Sequence, residues 1–97
     1  MKPVRLVEPA EQEMISAAEF YEQRSPGIGR DFLDKIESAL DDIHEHPDRC
    51  PPLGMGVRRR LVHRFPYGIL YRIEAQEIVV LAIAHLHRNP TYWIDRM

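Results

Sequence analysis

Arg58-Arg59-Arg60, Arg64, Arg72 and Arg88 stand among residues of strand type, with His85 and His87 just ahead of the last of them. Strand side chains ordinarily bury apolar area, so this density of cations calls for anionic partners. A guanidinium holds two oxygens of a phosphate or carboxylate in its planar fork. Histidine changes charge near neutral pH, which makes His85 the best general base of the chain. Together such residue types could hold an anionic group and move a proton beside it. Arg58, Arg60, Arg64 and Arg72 are the cation candidates, and His85 and Tyr92 the proton carriers. Tyr92 and Trp93, close to Arg88, are placed to stack a base or to close the end of a small core.

Each of these residues also has a structural reading. Arg58 and Arg72 equally suit pairing with helix acids or with a carboxylate of a partner protein. Three consecutive arginines must divide between two strand faces. His85 and His87 are two apart, but no nearby acid or cysteine completes a metal site. His44 and His46 complement the end of a helix. The single cysteine, Cys50, excludes an internal disulfide and a cysteine-rich metal centre. No metal and no cofactor is expected.

Charge is divided along the chain. Residues 1–50 hold 12 acids against 6 Lys/Arg, a balance of −6, and residues 51–97 hold 3 against 7, a balance of +4. The asymmetry fits an acidic or nucleic-acid partner for the basic half, or two halves that neutralise each other. A net charge of −2 and a pI near 6.2 exclude nucleic-acid binding through bulk charge. Ninety-seven residues, 44% hydrophobic, make one domain over 1–97 with a modest core. The longest apolar run, Ile78 to Ala84, falls far short of the about 20 residues that span a membrane. The start Met-Lys-Pro-Val-Arg lacks an apolar signal core, so a cytoplasmic location is expected.

The elements that must position these side chains follow from period. Val4–Val7 reads as a short strand. Glu8-Pro9 opens a helix, proline suiting the first turn, with Ala10, Met14, Ala17, Ala18 and Tyr21 on its apolar face and Glu11, Glu19 and Glu22 facing water. Ser25-Pro26-Gly27 breaks it. Ile28, Phe32, Ile36, Leu40 and Ile43 mark a second helix that stops before Pro47. Residues 47–56, with three prolines and two glycines, read as a turn-rich connector. Val57–Val62, Gly68–Glu74 and Glu77–His85 are strands, the last two a hairpin, and Ile78–Ala84 is apolar on both sides. On the middle strand Ile69, Tyr71 and Ile73 face the helices, and Leu70, Arg72 and Glu74 face away. Asn89–Trp93 opens a short terminal helix. The expected fold is α+β, in the order β-α-α-β-β-β. A helical hairpin packs on one face of a small, mainly antiparallel sheet, and the other face is open and carries the strand arginines.

With an N-terminal strand and helical hairpin, the combination of Gly56-Val57-Arg58-Arg59, Arg64-Phe65-Pro66-Tyr67, Tyr71-Arg72 and His85-x-x-Arg88-x-Pro90 resembles the RelE/ParE superfamily of toxins from bacterial type II toxin–antitoxin systems. The similarity spans nearly the whole chain and is strongest to the ParE-like plasmid stabilisation proteins. It implies a protein that arrests growth until a cognate antitoxin silences it in a toxin–antitoxin hetero-oligomer. ParE-like members inhibit DNA gyrase, and the acidic pI and lack of lysines in the basic half favour that activity. On that reading the chain is not an enzyme, and Arg58, Arg60, Arg64, Arg72, Arg88, Tyr92 and Trp93 supply surface for target or antitoxin. RelE-like members are ribosome-dependent mRNA endoribonucleases, and there His85, Arg72, Arg64 and Arg58 would be catalytic. A third reading is an inactive toxin that only binds its antitoxin.

Overall fold

The computed structural model describes all 97 residues. Strand β1 (Val4–Leu6) leads directly into helix α1 (Glu8–Arg24), which has proline and two acids in its first turn. Helix α2 (Ile28–Glu45) returns antiparallel to it, and Phe32, Ile36, Ala39 and Ile43 form its buried stripe. The two helices meet closely at Gly29, where a Cβ would fall 2.6 Å from the Ala18 carbonyl oxygen. Glu22, expected to face only water, is exposed yet accepts the Gly27 and Gly29 N–H groups at 3.0–3.1 Å. The first helix thus caps the second, satisfying donors that a helix start leaves free.

Four further strands follow: β2 (Pro52–Gly54), β3 (Val57–Leu61), β4 (Tyr67–Ile73) and β5 (Ile78–His85). The sheet order is β1-β5-β4-β3-β2, with β1 parallel to β5 and every other pair antiparallel. The predicted α+β class, hairpin and helix-facing isoleucines are all present. The connector differs from expectation, because Pro52–Gly54 pairs with β3 as an extra edge strand. Such a place tolerates proline, whose missing N–H is not needed at an edge.

Thirteen buried residues form the core between sheet and helices, including Phe32, Ile36, Ile69, Tyr71 and Val80. The opposite face is not fully open. Trp93 packs there with Val57, Leu70, Val79, Leu81 and Ala82. The terminal helix expected from Asn89 is instead a bridging segment, and only Ile94–Arg96 forms a single 3-10 turn.

The pairing of β4 with β5 shifts between Leu70 and Tyr71, so that Leu70 faces Ala82 and Tyr71 faces Val80. Leu81 is the extra residue of a β-bulge, and beyond it the faces of β5 exchange. Strict alternation would place Ile83 and His85 on the open face with Val79 and Leu81. The bulge brings Ile83 into the helix-side core and sets His85 opposite Tyr67.

Candidate functional site

The alternation of β3 divides its arginines. Arg58 and Arg60 point to the helix side, in register with Tyr71 and Ile69. Arg58 donates to the carbonyls of Asp48 (3.3 Å) and Cys50, pinning the connector to the sheet. Arg60 Nε donates to Asp42 Oδ2 at 2.9 Å, and Arg49 reaches the other oxygen of that carboxylate at 3.0 Å. The hydrogen bond from Arg60, aided by the charges of Arg49 and Arg60, holds the Asp42 carboxyl below its usual range although burial opposes it. Only Arg59 and Arg72 emerge on the open face, opposite Leu70 and Val57. The expectation that the open face carries the strand arginines therefore holds for these two and is corrected for Arg58 and Arg60.

Arg72 pairs with Glu74, just past the end of β4, at 3.1 Å. Arg64 sits in the turn before β4 with φ of 74°, exposed, its guanidinium 5.7 Å from the Phe65 ring. His85 lies at the far end of β5, edge-on to Tyr67 at 5.2 Å, and its Nδ1 accepts the His87 N–H at 3.1 Å. Tyr67 pairs with His85, whereas Tyr71 and Arg72 pair with Val80 and Val79. At about 3.3 Å per residue, His85 therefore stands about 13–16 Å along the sheet from Arg58 and Arg72. His85, Arg58, Arg64 and Arg72 do not converge on one reacting phosphate. No three His, Cys, Asp or Glu side chains gather as metal ligands.

What does converge is a cluster around Glu13. Strand β1 covers only Ile78–Val80 of β5, leaving the rest of that edge without a strand neighbour. Glu13 Oε1 accepts the Ile83 N–H at 3.0 Å, and Arg96 Nη1 donates to the Leu81 carbonyl at 3.0 Å. Arg96 also grips both oxygens of Glu13 at 2.9 and 3.1 Å. The Tyr92 hydroxyl donates to Glu13 Oε2 at 2.7 Å, and Arg88 lies 3.6 Å from the same oxygen while stacking 3.8 Å above the Tyr92 ring. Burial, then the bond to Glu13, raises the Tyr92 hydroxyl well above its ordinary pKa. The Arg96 guanidinium is likewise raised, chiefly by its hydrogen bond to Glu13. An ion pair with added hydrogen bonds thus takes the place of a strand and fastens the C-terminal segment across the sheet.

Of the residues expected to form a binding surface, Arg88 and Tyr92 belong to this fastening and Trp93 to the apolar cluster beneath it. Sequence reading passed over Glu13, Arg96 and Arg59. Glu13 left one signal, since it sits between Ala10 and Ala17 beside the buried helical stripe, where small residues allow close approach to the sheet. Arg59 looked like its neighbours, and only strand register separates it from Arg58 and Arg60.

A cleft of about 60 Å³ opens beside the C-terminal segment, with Arg59, Gly68, Leu70 and Trp93 among its lining residues. A wider, shallower groove of about 410 Å³ lies between α1 and the β4–β5 ends, where Phe20, Tyr67 and His85 meet. No helix is long and apolar enough to cross a membrane.

Comparison with known proteins gives this architecture a family. Residues 4–90 match the family model described as "ParE toxin of type II toxin-antitoxin system, parDE". Among solved structures, a chain from "Chromosomal ParDE TA system from P. aeruginosa" superposes with a TM-score of 0.79 at 18% identity, covering 90% of this chain and 98% of that one. A search of curated protein sequences returns no match. The family model covers the hairpin and the whole five-stranded sheet, and the chain accordingly belongs to the ParE toxins of type II toxin–antitoxin systems.

Proposed function

We propose that this toxin arrests growth by inhibiting DNA gyrase in the ParE manner, acting in the cytoplasm as a binding protein rather than as a catalyst. One observation carries this reading over ribosome-dependent cleavage of mRNA. Arg58 and Arg60 lie on one face of the sheet and Arg72 on the other, and His85 stands about 13–16 Å along it from Arg58 and Arg72. Arg58 and Arg60 are committed to Asp48, Cys50 and Asp42. A cognate antitoxin silences the protein in a hetero-oligomer, covering exposed apolar side chains such as Phe20 and Leu33 on the hairpin. Such a partner would fold on binding, using an amphipathic helix or an added strand.

The test is the purified chain with purified gyrase and plasmid DNA, run beside a cell-free translation reaction. Loss of supercoiling and accumulation of cleaved plasmid, with translation intact, is the expected result. Cleaved messages with unimpaired gyrase would replace this reading with the nuclease one. Expression without the antitoxin should likewise stop DNA synthesis before protein synthesis.

A further inference from the structure

Arg59 is the strand cation without an internal partner. Arg58, Arg60 and Arg72 are each within 4.0 Å of a carboxylate, whereas Arg59 makes neither an ion pair nor a hydrogen bond in the chain. Its stem lies flat across β4 because Gly68 leaves room, for a Cβ there would meet Arg59 Cγ and Cδ at 3.0 Å. Arg59 thus belongs to the wall of the 60 Å³ cleft. Another wall is Trp93, which is 5% exposed and whose buried Nε1–H has no acceptor in the protein. Buried indole N–H groups normally find a partner. Arg59, without a counter-charge, and Trp93, whose donor is buried and unpaired, thus line one small cleft. Leu53 and Leu86, each about half exposed, add apolar surface to a lining that also holds His85, Arg88 and Asn89.

We propose that this cleft is a subsite for the carboxylate of a single acidic side chain, carried on an apolar-flanked segment of a partner polypeptide. At about 60 Å³ it is well under the roughly 300 Å³ at which small-molecule sites begin, so it takes the end of a side chain and not a nucleobase. A carboxylate accepts from the Arg59 fork, and from the buried indole N–H once a small side-chain movement uncovers it, while Leu53 and Leu86 cover the flanking residues. Nucleic acid would need a run of free cations, and here the neighbouring Arg88 is already shared between Glu13 and Tyr92. The subsite does not depend on gyrase being the target.

Trp93 is the single tryptophan, so its indole N–H resonance reports directly from the cleft. The full chain, isotope-labelled, is titrated with a capped Ala-Leu-Glu-Leu-Ala peptide, its glutamine counterpart, inorganic phosphate and a short single-stranded oligonucleotide. The glutamate peptide should shift the indole resonance at millimolar concentration, with at least about tenfold weaker binding for glutamine, as expected of a charge-assisted hydrogen bond. Arg59→Gln should lose that preference, Arg59→Lys should keep only part of it, and Arg64→Gln should retain it in full. Equal response to both peptides, or none at millimolar glutamate peptide, overturns the proposal. So does an indole response to phosphate or oligonucleotide at lower concentration than to the peptide. In Trp93→Phe, followed through the Gly68 amide, peptide affinity should fall severalfold, and unchanged affinity would remove the indole from the site.

Discussion

Each face of the sheet receives two arginines from β3 and β4, and they meet different fates. On the helix side Arg58 and Arg60 are absorbed by Asp48, the Cys50 carbonyl and Asp42, so their charge serves to hold the connector and α2 against the sheet. On the open side Arg72 has only its strand neighbour Glu74, and Arg59 has nothing. The apolar content differs in the same sense, with 13 buried residues beneath the helices and 6 beneath the C-terminal segment. One face is built to be stable and the other is closed by a small, polar-fastened cover. Of the four strand arginines, only Arg59, on the second face, is not already spent on a partner within the chain.

The comparison predicts a graded set of losses. Phe32 is completely buried and meets Tyr21, Phe65 and Tyr67 at ring separations of 5.1–5.4 Å. Phe32→Ala should cost about 3–5 kcal/mol, read from the denaturant midpoint, which is a large part of a small domain's stability. If the loss were under about 1 kcal/mol, the helix-side core would not be the dominant one.

Glu13→Ala should come next, at about 2–4 kcal/mol, because it leaves the Ile83 N–H and the Tyr92 hydroxyl without their acceptor and Arg96 without its counter-charge. The loss should be local in character. Hydrogen exchange should accelerate first at the Ile83 amide and Trp93 fluorescence should move toward the solvent-exposed value, while amides of α2 stay protected. Uniform loss of protection would mean that the cover and the helix-side core unfold as one unit. Tyr71→Phe tests a single bond on the stable face, where the hydroxyl donates to the Pro47 carbonyl at 2.7 Å. It should cost about 1 kcal/mol by thermal or chemical unfolding and leave the C-terminal cover unchanged.

These experiments touch what the sequence displayed and what it concealed. The stripe of Phe32, Ile36 and Ile43 and the alternation of Ile69, Tyr71 and Ile73 declared the helix-side core openly, since burial of one face imposes its period on the chain. Three features were hidden for separate reasons. Pro52–Gly54 looked like pure connector because three residues are too short to show a period. The Leu81 bulge lies in an all-apolar run, where exchanging faces leaves no mark, and it moves His85 off the face that alternation assigns. The grip of Glu13 on Arg96 spans 83 positions, a distance that no local pattern records. The candidate site depended on all three, which is why its residue types were readable and their grouping was not.

The smallest expected effect separates the two faces by pH. Asp42 has its carboxyl pKa depressed by Arg60 and Arg49, so the folded state favours the ionised form more than the unfolded chain does. A depressed carboxylate contributes stability that is fully present above the unfolded value of about 3.9 and is lost as pH falls through the lower folded value. The wild-type protein should therefore lose stability from about pH 4 downward, and Asp42→Asn should flatten part of that slope. The pair is partly exposed, so its worth is about 1 kcal/mol or less, and moderate salt should reduce it. An acid slope left unchanged by Asp42→Asn would mean that α2 gains nothing from Arg60, and that this arginine is as free for a partner as Arg59.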